Sequence, residues 1–175
     1  MEVVNIYLGC DLFTEGQRWQ ALRIQRAIEE ELGSKVNIYN PAENLEINDK
    51  NHFSFGADIL LADYERLQSS DMLIALMDTG DLGLAVEMGI AWERGIPVFQ
   101  LYTDIRLLGA DNKDKHEQTG IDVFQNDILY LNKLMTALSY VDKNCNKYVE
   151  PLIYRDSNEL TDSVISFIKE EIDYV

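Results

Sequence analysis

Short apolar runs alternate along the chain with longer amphipathic stretches. Val3 to Leu8 (VVNIYL) is apolar, β-branched and ended by Gly9, which is the pattern of a buried strand. From about Glu15 to Leu32 the apolar residues Ala21, Ile24, Ala27, Ile28 and Leu32 follow helical spacing, and Gly33 stops the run. Lys35 to Tyr39 (KVNIY) predicts a second strand ended by Pro41. Residues 40–56 carry no period and read as a long loop, of the kind that tends to be functional inside a compact domain. A helix is predicted over 56–68, with Leu60, Tyr64 and Leu67 as its apolar stripe. Met72 to Met77 (MLIALM) is continuously apolar, as expected of a central parallel strand. A turn at 78–81 leads into a helix over 82–93, capped by Gly95, and Pro97 to Tyr102 (PVFQLY) is the next strand. Residues 103–119 are polar and suggest a surface excursion, followed by helices over 121–141 and 157–172.

Strands that alternate with helices require parallel pairing through crossovers. The expected fold is therefore α/β: an open, doubly wound, mainly parallel five-stranded sheet, flavodoxin/Rossmann-like, with helices on both faces. No repeat, low-complexity tract or boundary divides the chain, so residues 1–175 are expected to form a single domain.

Charge narrows the partners. The 175 residues hold 15 Lys and Arg against 31 Asp and Glu, a formal charge of −16. Such a balance argues against nucleic-acid backbone binding, which needs a cationic face, and against a polybasic membrane contact. Two Cys and two His offer neither a disulfide framework nor a metal-ligand cluster, so no metal is expected. There is no basic-then-apolar leader and no apolar run near ~18 residues. A soluble protein of a reducing, cytoplasmic compartment is expected. No GxxxxGK[ST] loop, strand-following GxGxxG or Gly-x-Ser-x-Gly elbow is present, and no cofactor is expected.

Five residues stand out near one sheet edge. Glu87 is the only ionisable residue between Leu82 and Trp92, in a helix apolar on nearly every face. A helix of that kind is expected to be buried, and Glu87 partly buried with it. It either pairs with a neighbouring donor or titrates upward in a functional cleft. The helix follows the carboxyl end of a central strand, where open α/β sheets place ligands. The turn before it carries Asp78 and Asp81, with Gly80 and Gly83 permitting close backbone approach; Asp81 also suits the N-cap position. Asp63 falls on the expected inward side of its helix, as a structural ion pair or a site residue. Tyr7 ends the first strand, either as a core aromatic with its hydroxyl at the rim or as a hydroxyl reaching the crevice. Carboxylates converging without a metal cluster suit acid–base work or a carboxylate nucleophile.

These residues carry a resemblance. Asn5-Ile-Tyr-Leu-Gly, followed by Asp11-Leu-Phe-Thr-Glu-Gly-Gln-Arg, resembles the opening of nucleoside 2-deoxyribosyltransferases. Asp63, eight residues before Asp71 and the Met72 strand, resembles an Asp of that family. Asp81-Leu-Gly-Leu-Ala-Val-Glu-Met-Gly-Ile-Ala resembles its D-x-G-x-x-x-E-x-G-x-A block, and Gln125-Asn-Asp-Ile-Leu-Tyr-Leu-Asn a later Asn-bearing segment. The likeness covers roughly residues 3–140.

The resemblance implies that Glu87 attacks the anomeric carbon of a 2′-deoxynucleoside and forms a deoxyribosyl ester. A second base then attacks with net retention, in parallel with retaining glycosidases. By the same match, Asp63 and Asp81 meet the base, Tyr7 orients Glu87, and Asn126 reaches the sugar 5′-hydroxyl in a neighbouring subunit's site. The partners implied are 2′-deoxynucleosides and free purine or pyrimidine bases. The largely apolar segment 128–141 and the resemblance together suggest a homo-oligomer with sites near the subunit interface. Gly9 to Gly16 holds only Thr14 as a hydroxyl beside Asp11 and Glu15, which favours a nucleoside over a nucleotide. The competing readings are an N-glycoside hydrolase of deoxynucleoside monophosphates and a non-catalytic nucleotide-sensing domain.

Overall fold

A computed structural model describes residues 3–108, 112–115, 117, 132–144, 152–153 and 157–174. The chain runs β1 (Val4–Gly9), α1 (Glu15–Leu32), β2 (Val36–Tyr39), α2 (Leu45–Asn48), α3 (Gly56–Gln68), β3 (Met72–Leu76) and α4 (Leu82–Arg94), then β4 (Val98–Tyr102), α5 (Lys133–Tyr140), β5 (Leu152–Ile153) and α6 (Ser157–Tyr174). The five strands are ordered β2-β1-β3-β4-β5, and every pairing is parallel. The expected α/β architecture is present. The fifth strand comes from a two-residue segment that has no periodicity of its own.

Strand alternation splits the core into two layers. Ile6, Leu8, Ile74, Leu76 and Leu101 face α1 and α6, meeting Ala21, Ile24, Ile28, Val164 and Ile168. Tyr7, Leu73, Ala75, Met77 and Val98 face the other way, onto Leu67 of α3 and Leu84, Met88 and Ala91 of α4, with Met135 and Leu138 of α5 beside them. All of β3 and β4 is buried, which accounts for the continuously apolar character of β3; in β4 the buried Gln100 donates to the Met135 and Thr136 carbonyls.

Helix α1 begins at a capping box. Thr14 accepts from the Gln17 backbone, and the Gln17 side chain returns the bond to the Thr14 backbone.

Three expectations are corrected. The inward stripe of α3 is rotated by one residue: Leu67 is buried, Ile59 and Asp63 are partly covered, and Leu60 and Tyr64 lie outward and exposed. Helix α4 is not buried all round. It rests on the sheet through Leu84, Met88 and Ala91, leaving Leu82 and Val86 83% and 55% exposed. Of the segment expected as a helix over 121–141, the described part starts its helix at Lys133, because Asn132 is extended and its side chain caps the Leu134 N–H at 3.0 Å. Asn126 lies outside the described residues.

Candidate active site

Strand order reverses between β1 and β3, because the chain leaves β1 for β2 on one side and returns to β3 on the other. At such a switch point the loops leaving the two carboxyl ends diverge and open a crevice. Tyr7 and Gly9 close β1 there, and α4 descends from the turn after β3 with Glu87 in its second turn.

Glu87 has a single geometric anchor on the sheet. The Tyr7 hydroxyl, fully buried, donates to Glu87 Oε1 at 2.9 Å. The other oxygen, Oε2, lies over Gly9: a Cβ at Gly9 would stand 3.2 Å from it and 2.6 Å from Leu84 Cδ1. A side chain at position 9 would thus compete with the carboxylate for one space. Desolvation pushes the Glu87 carboxyl up to about 7; the Tyr7 bond opposes that rise, and the charges of Asp63 and Asp81 add to it. Burial beside Glu87 also pushes the Tyr7 phenol far up, so it acts as a fixed donor. The neighbouring Cys10 thiol rises to about 12 from burial first and the Glu87, Asp11 and Asp81 charges next. It is therefore not a thiolate.

Asp63 enters the crevice from α3. Burial raises its carboxyl, while bonds from the Tyr7 and Tyr39 hydroxyls and the charge of Lys50 hold it down. Tyr39 Oη lies 3.5 Å from Asp63 Oδ1 and accepts from Asn44 Nδ2 at 2.9 Å. Lys50 stands over the Phe13 ring, 5.9 Å from its centroid, so the loop after α2 and the loop after β1 meet above the carboxylates.

The remaining expected residues serve more local ends. Asp81 is the N-cap of α4, and its Oδ1 accepts from the Leu84 N–H at 2.8 Å. Gly83 makes room for that cap, since a Cβ there would sit 2.9 Å from the same oxygen. Asp78 braces the sheet edge. Its Oδ1 accepts from the backbone N–H groups of Thr103 and Asp104, at 2.7 and 3.1 Å. Its Oδ2 accepts from the Thr103 hydroxyl and from Gln20 Nε2. Glu87, Asp63 and Tyr7 therefore form one cluster. Asp81 touches it through its charge, and Asp78 and Gly83 shape the turn that presents it. Two broad grooves, about 1030 Å³ along α1 and about 970 Å³ beside α5, are lined by none of Glu87, Asp63 and Tyr7.

Tyr39, Asn44 and Lys50 escaped the sequence reasoning. A signal for Tyr39 existed: the tetrapeptide Val-Asn-Ile-Tyr occurs at 4–7 and again at 36–39. The two copies pair in register, Tyr7 against Tyr39, with ring centroids 5.2 Å apart. No group of His, Cys, Asp and Glu among the described residues has the geometry to hold a metal ion.

Fold and site together define a doubly wound α/β protein whose switch-point crevice presents a tyrosine-held, partly desolvated carboxylate. The family model for nucleoside 2-deoxyribosyltransferase matches residues 6–149, and the chain belongs to that family. Among solved structures, a conserved protein from Enterococcus faecalis V583 is 32% identical, with a TM-score of 0.72, over 94% of this chain and 98% of that one. A CMP N-glycosidase from Clostridium botulinum is 16% identical, with a TM-score of 0.54, over 93% and 98% of the two chains. A 2-deoxyribosyltransferase from Bacillus psychrosaccharolyticus is 18% identical, with a TM-score of 0.53, over 91% of each. The last two share the fold. No curated protein matches the chain. The family supports N-glycosidic transfer or cleavage, and among the described residues no helix is long and apolar enough to cross a membrane.

Proposed function

We propose that the protein transfers the 2-deoxyribosyl group from one nucleobase to another through an ester on Glu87, and hydrolyses the donor when no acceptor base is present. The observation that carries this reading is the Tyr7–Glu87 bond. It fixes one carboxylate oxygen, stabilises its ionised form against burial, and leaves Oε2 over Gly9 at the end of β1. A desolvated, oriented carboxylate is the group nucleophilic catalysis at an anomeric carbon needs.

In the first half-reaction a Glu87 oxygen bonds to C1′. The C1′–N bond breaks, its electron pair goes to the base nitrogen, and Asp63 gives that base a proton. In the second half an incoming base nitrogen bonds to C1′, the ester C–O bond breaks, and Asp63 takes back the proton. Asp81 and Asn126 stay in the proposal as substrate-side residues by family resemblance, and Asp78 and Gly83 as neighbours of Asp81 at the crevice. Asp81 acts from a capping position, and Asp78 and Gly83 through the turn.

A neutral 2′-deoxynucleoside suits this crevice better than a nucleotide. Glu87, Asp63 and Asp81 gather there, and Lys50 is the cation whose charge reaches Asp63. Thr14, the only hydroxyl of the loop after β1, is committed to the cap of α1. We further infer at least a homodimer with sites near the interface. Exposed Leu60 and Leu61 on α3, and Leu82 and Val86 on α4, give the site-bearing helices an apolar outer side.

Incubation with a 2′-deoxynucleoside and a second free base, resolved by chromatography, tests the reading. Base exchange is expected, and Glu87→Ala abolishes it. Exchange retained in full by that variant refutes the nucleophile. Failure of several donor and acceptor pairs to exchange or release base refutes the enzyme.

A further inference from the structure

Two carboxylates and two tyrosines meet in the crevice, and their hydrogen atoms cannot be distributed arbitrarily. Each phenol has one proton to donate. The Tyr7 proton goes to Glu87 Oε1, 2.9 Å away. Tyr39 is the register partner of Tyr7 on β2 and projects from the same sheet face, its ring 5.2 Å from that of Tyr7. Its oxygen receives the Asn44 amide at 2.9 Å. With that lone pair engaged by a donor, the Tyr39 proton points away from Asn44, and Asp63 Oδ1 is the acceptor it meets at 3.5 Å. Arg66 stacks 5.2 Å from the Tyr39 ring centroid and holds the ring from the side of α3.

We propose that Tyr39, with Asn44 behind it, is a positioning residue that orients the Asp63 carboxyl and stabilises it in the state that follows proton donation to the leaving base. This rests on the assignment of Asp63 as the proton carrier. The paired Val-Asn-Ile-Tyr strands thus set two phenols against the two carboxylates: Tyr7 donates to the nucleophile and also borders Asp63, and Tyr39 faces the acid. The arrangement matters because Asp63 works in both directions, as acid toward the departing base and as base toward the incoming one. Such a group is most effective when neither form is strongly favoured. Burial favours the protonated form, and the Tyr7 hydroxyl first and the Tyr39 hydroxyl next oppose it, the latter held by Asn44. The titratable and charged groups facing Asp63 are Tyr7 from β1, Tyr39 from β2, Lys50 from the loop after α2, and Glu87 from α4.

The test compares wild type, Tyr39→Phe and Asn44→Asp by NMR titration of the Asp63 carboxyl carbon, assigned with Asp63→Asn. Tyr39→Phe keeps the ring packed on Tyr7 and under Arg66 while removing the donor. Asn44→Asp keeps the phenol but turns its proton toward position 44. Tyr39→Phe is expected to move the Asp63 midpoint up by about half to one pH unit, below the range of a full bond to a charged group because of the 3.5 Å separation, and Asn44→Asp, which adds a charge, by more. In base exchange, the alkaline limb of kcat/KM moves up with it. A role confined to packing leaves both unmoved in Tyr39→Phe, whose ring stays in place, and an Asp63 midpoint equal to wild type in that variant overturns the proposal. The carboxyl titration does not depend on turnover. Absence of base exchange in the wild type therefore counts against the proposed function, while the midpoints still decide the role of Tyr39.

Discussion

Replacing Tyr7 by Phe removes one hydrogen atom's worth of chemistry and leaves the packing nearly intact, so its consequence can be worked from the structure. The ring is fully buried and stays in contact with Tyr39. What disappears is the 2.9 Å donation to Glu87 Oε1, one of the influences holding the carboxyl down to about 7. A hydrogen bond to a charged group contributes about 1.5–3 kcal/mol, or about one to two pH units. The Glu87 midpoint is then expected between about 8 and 9, and the ionised fraction at pH 7 falls from about one half to between about one tenth and one hundredth. Because only the carboxylate attacks C1′, kcat/KM for base exchange at pH 7 is expected to drop ~5- to 50-fold. The loss is a matter of protonation, so the ratio of variant to wild type recovers as pH rises and approaches one half or better near pH 9. A full pH profile of kcat/KM for both proteins is the assay. A ratio that stays constant across pH, with the acid limb unmoved, refutes the assignment of Tyr7 as the group that keeps Glu87 ionised.

Glu87 also affects stability. Its folded carboxyl is raised from the usual 4.5 to about 7, so the fold favours the protonated form. The stability present below the unfolded value is lost as pH rises through the folded one. Glu87→Gln, which keeps the Tyr7 bond, is expected to stabilise the protein by about 3 kcal/mol at pH 8 and by less than about 1 kcal/mol at pH 5. Urea denaturation at the two values measures this, and equal effects at both pH values contradict the burial of the charge. Sedimentation velocity is expected to return a species of at least twice the 20.1 kDa chain mass. Leu82→Lys together with Val86→Lys is expected to shift it toward monomer, and a clean monomer in the unmodified protein rejects the shared-interface reading.

Much of the site could be read because its residues are out of place locally. A lone carboxylate in the apolar run 82–92 conflicts with its surroundings wherever the helix packs, so Glu87 stood out before any contact was known. All-round burial of α4 does not account for its cover, since α4 exposes Leu82 and Val86. Glu87 is covered instead because its turn of the helix leans over Gly9 and the end of β1. Asp63 faces inward as its spacing predicts, although the apolar stripe of α3 lies one residue from the predicted one. Leu60, Tyr64 and Leu67 offer one apolar edge at helical spacing and Ile59 and Leu67 another, and only packing against α4 selects between them.

Asp78 and Asp81 illustrate what charge and turn chemistry leave open. Either Asp suits a ligand contact or a backbone brace. Asp81 became the N-cap because the helix starts at the next residue, and the space at Gly83 admits its carboxylate. Asp78 became a brace because β4 ends beside it and delivers the Thr103 and Asp104 N–H groups, 25 and 26 residues further along the chain.

The sequence by itself determined the alternation of β1 to β4 with their helices, and hence the parallel α/β class. Each of those elements carries its own period of apolar residues, and right-handed crossovers follow from chirality. It also marked Glu87, Asp63 and Tyr7 as discordant. Only the tertiary structure decided the strand order β2-β1-β3-β4-β5, which opens the crevice between β1 and β3, and the recruitment of the two-residue β5. It alone set Tyr39 beside Tyr7 and Asn44 behind Tyr39. Strand register and loop return depend on contacts between residues tens of positions apart. A local pattern records what a segment needs to bury, and the partner that meets it is settled when the whole sheet assembles.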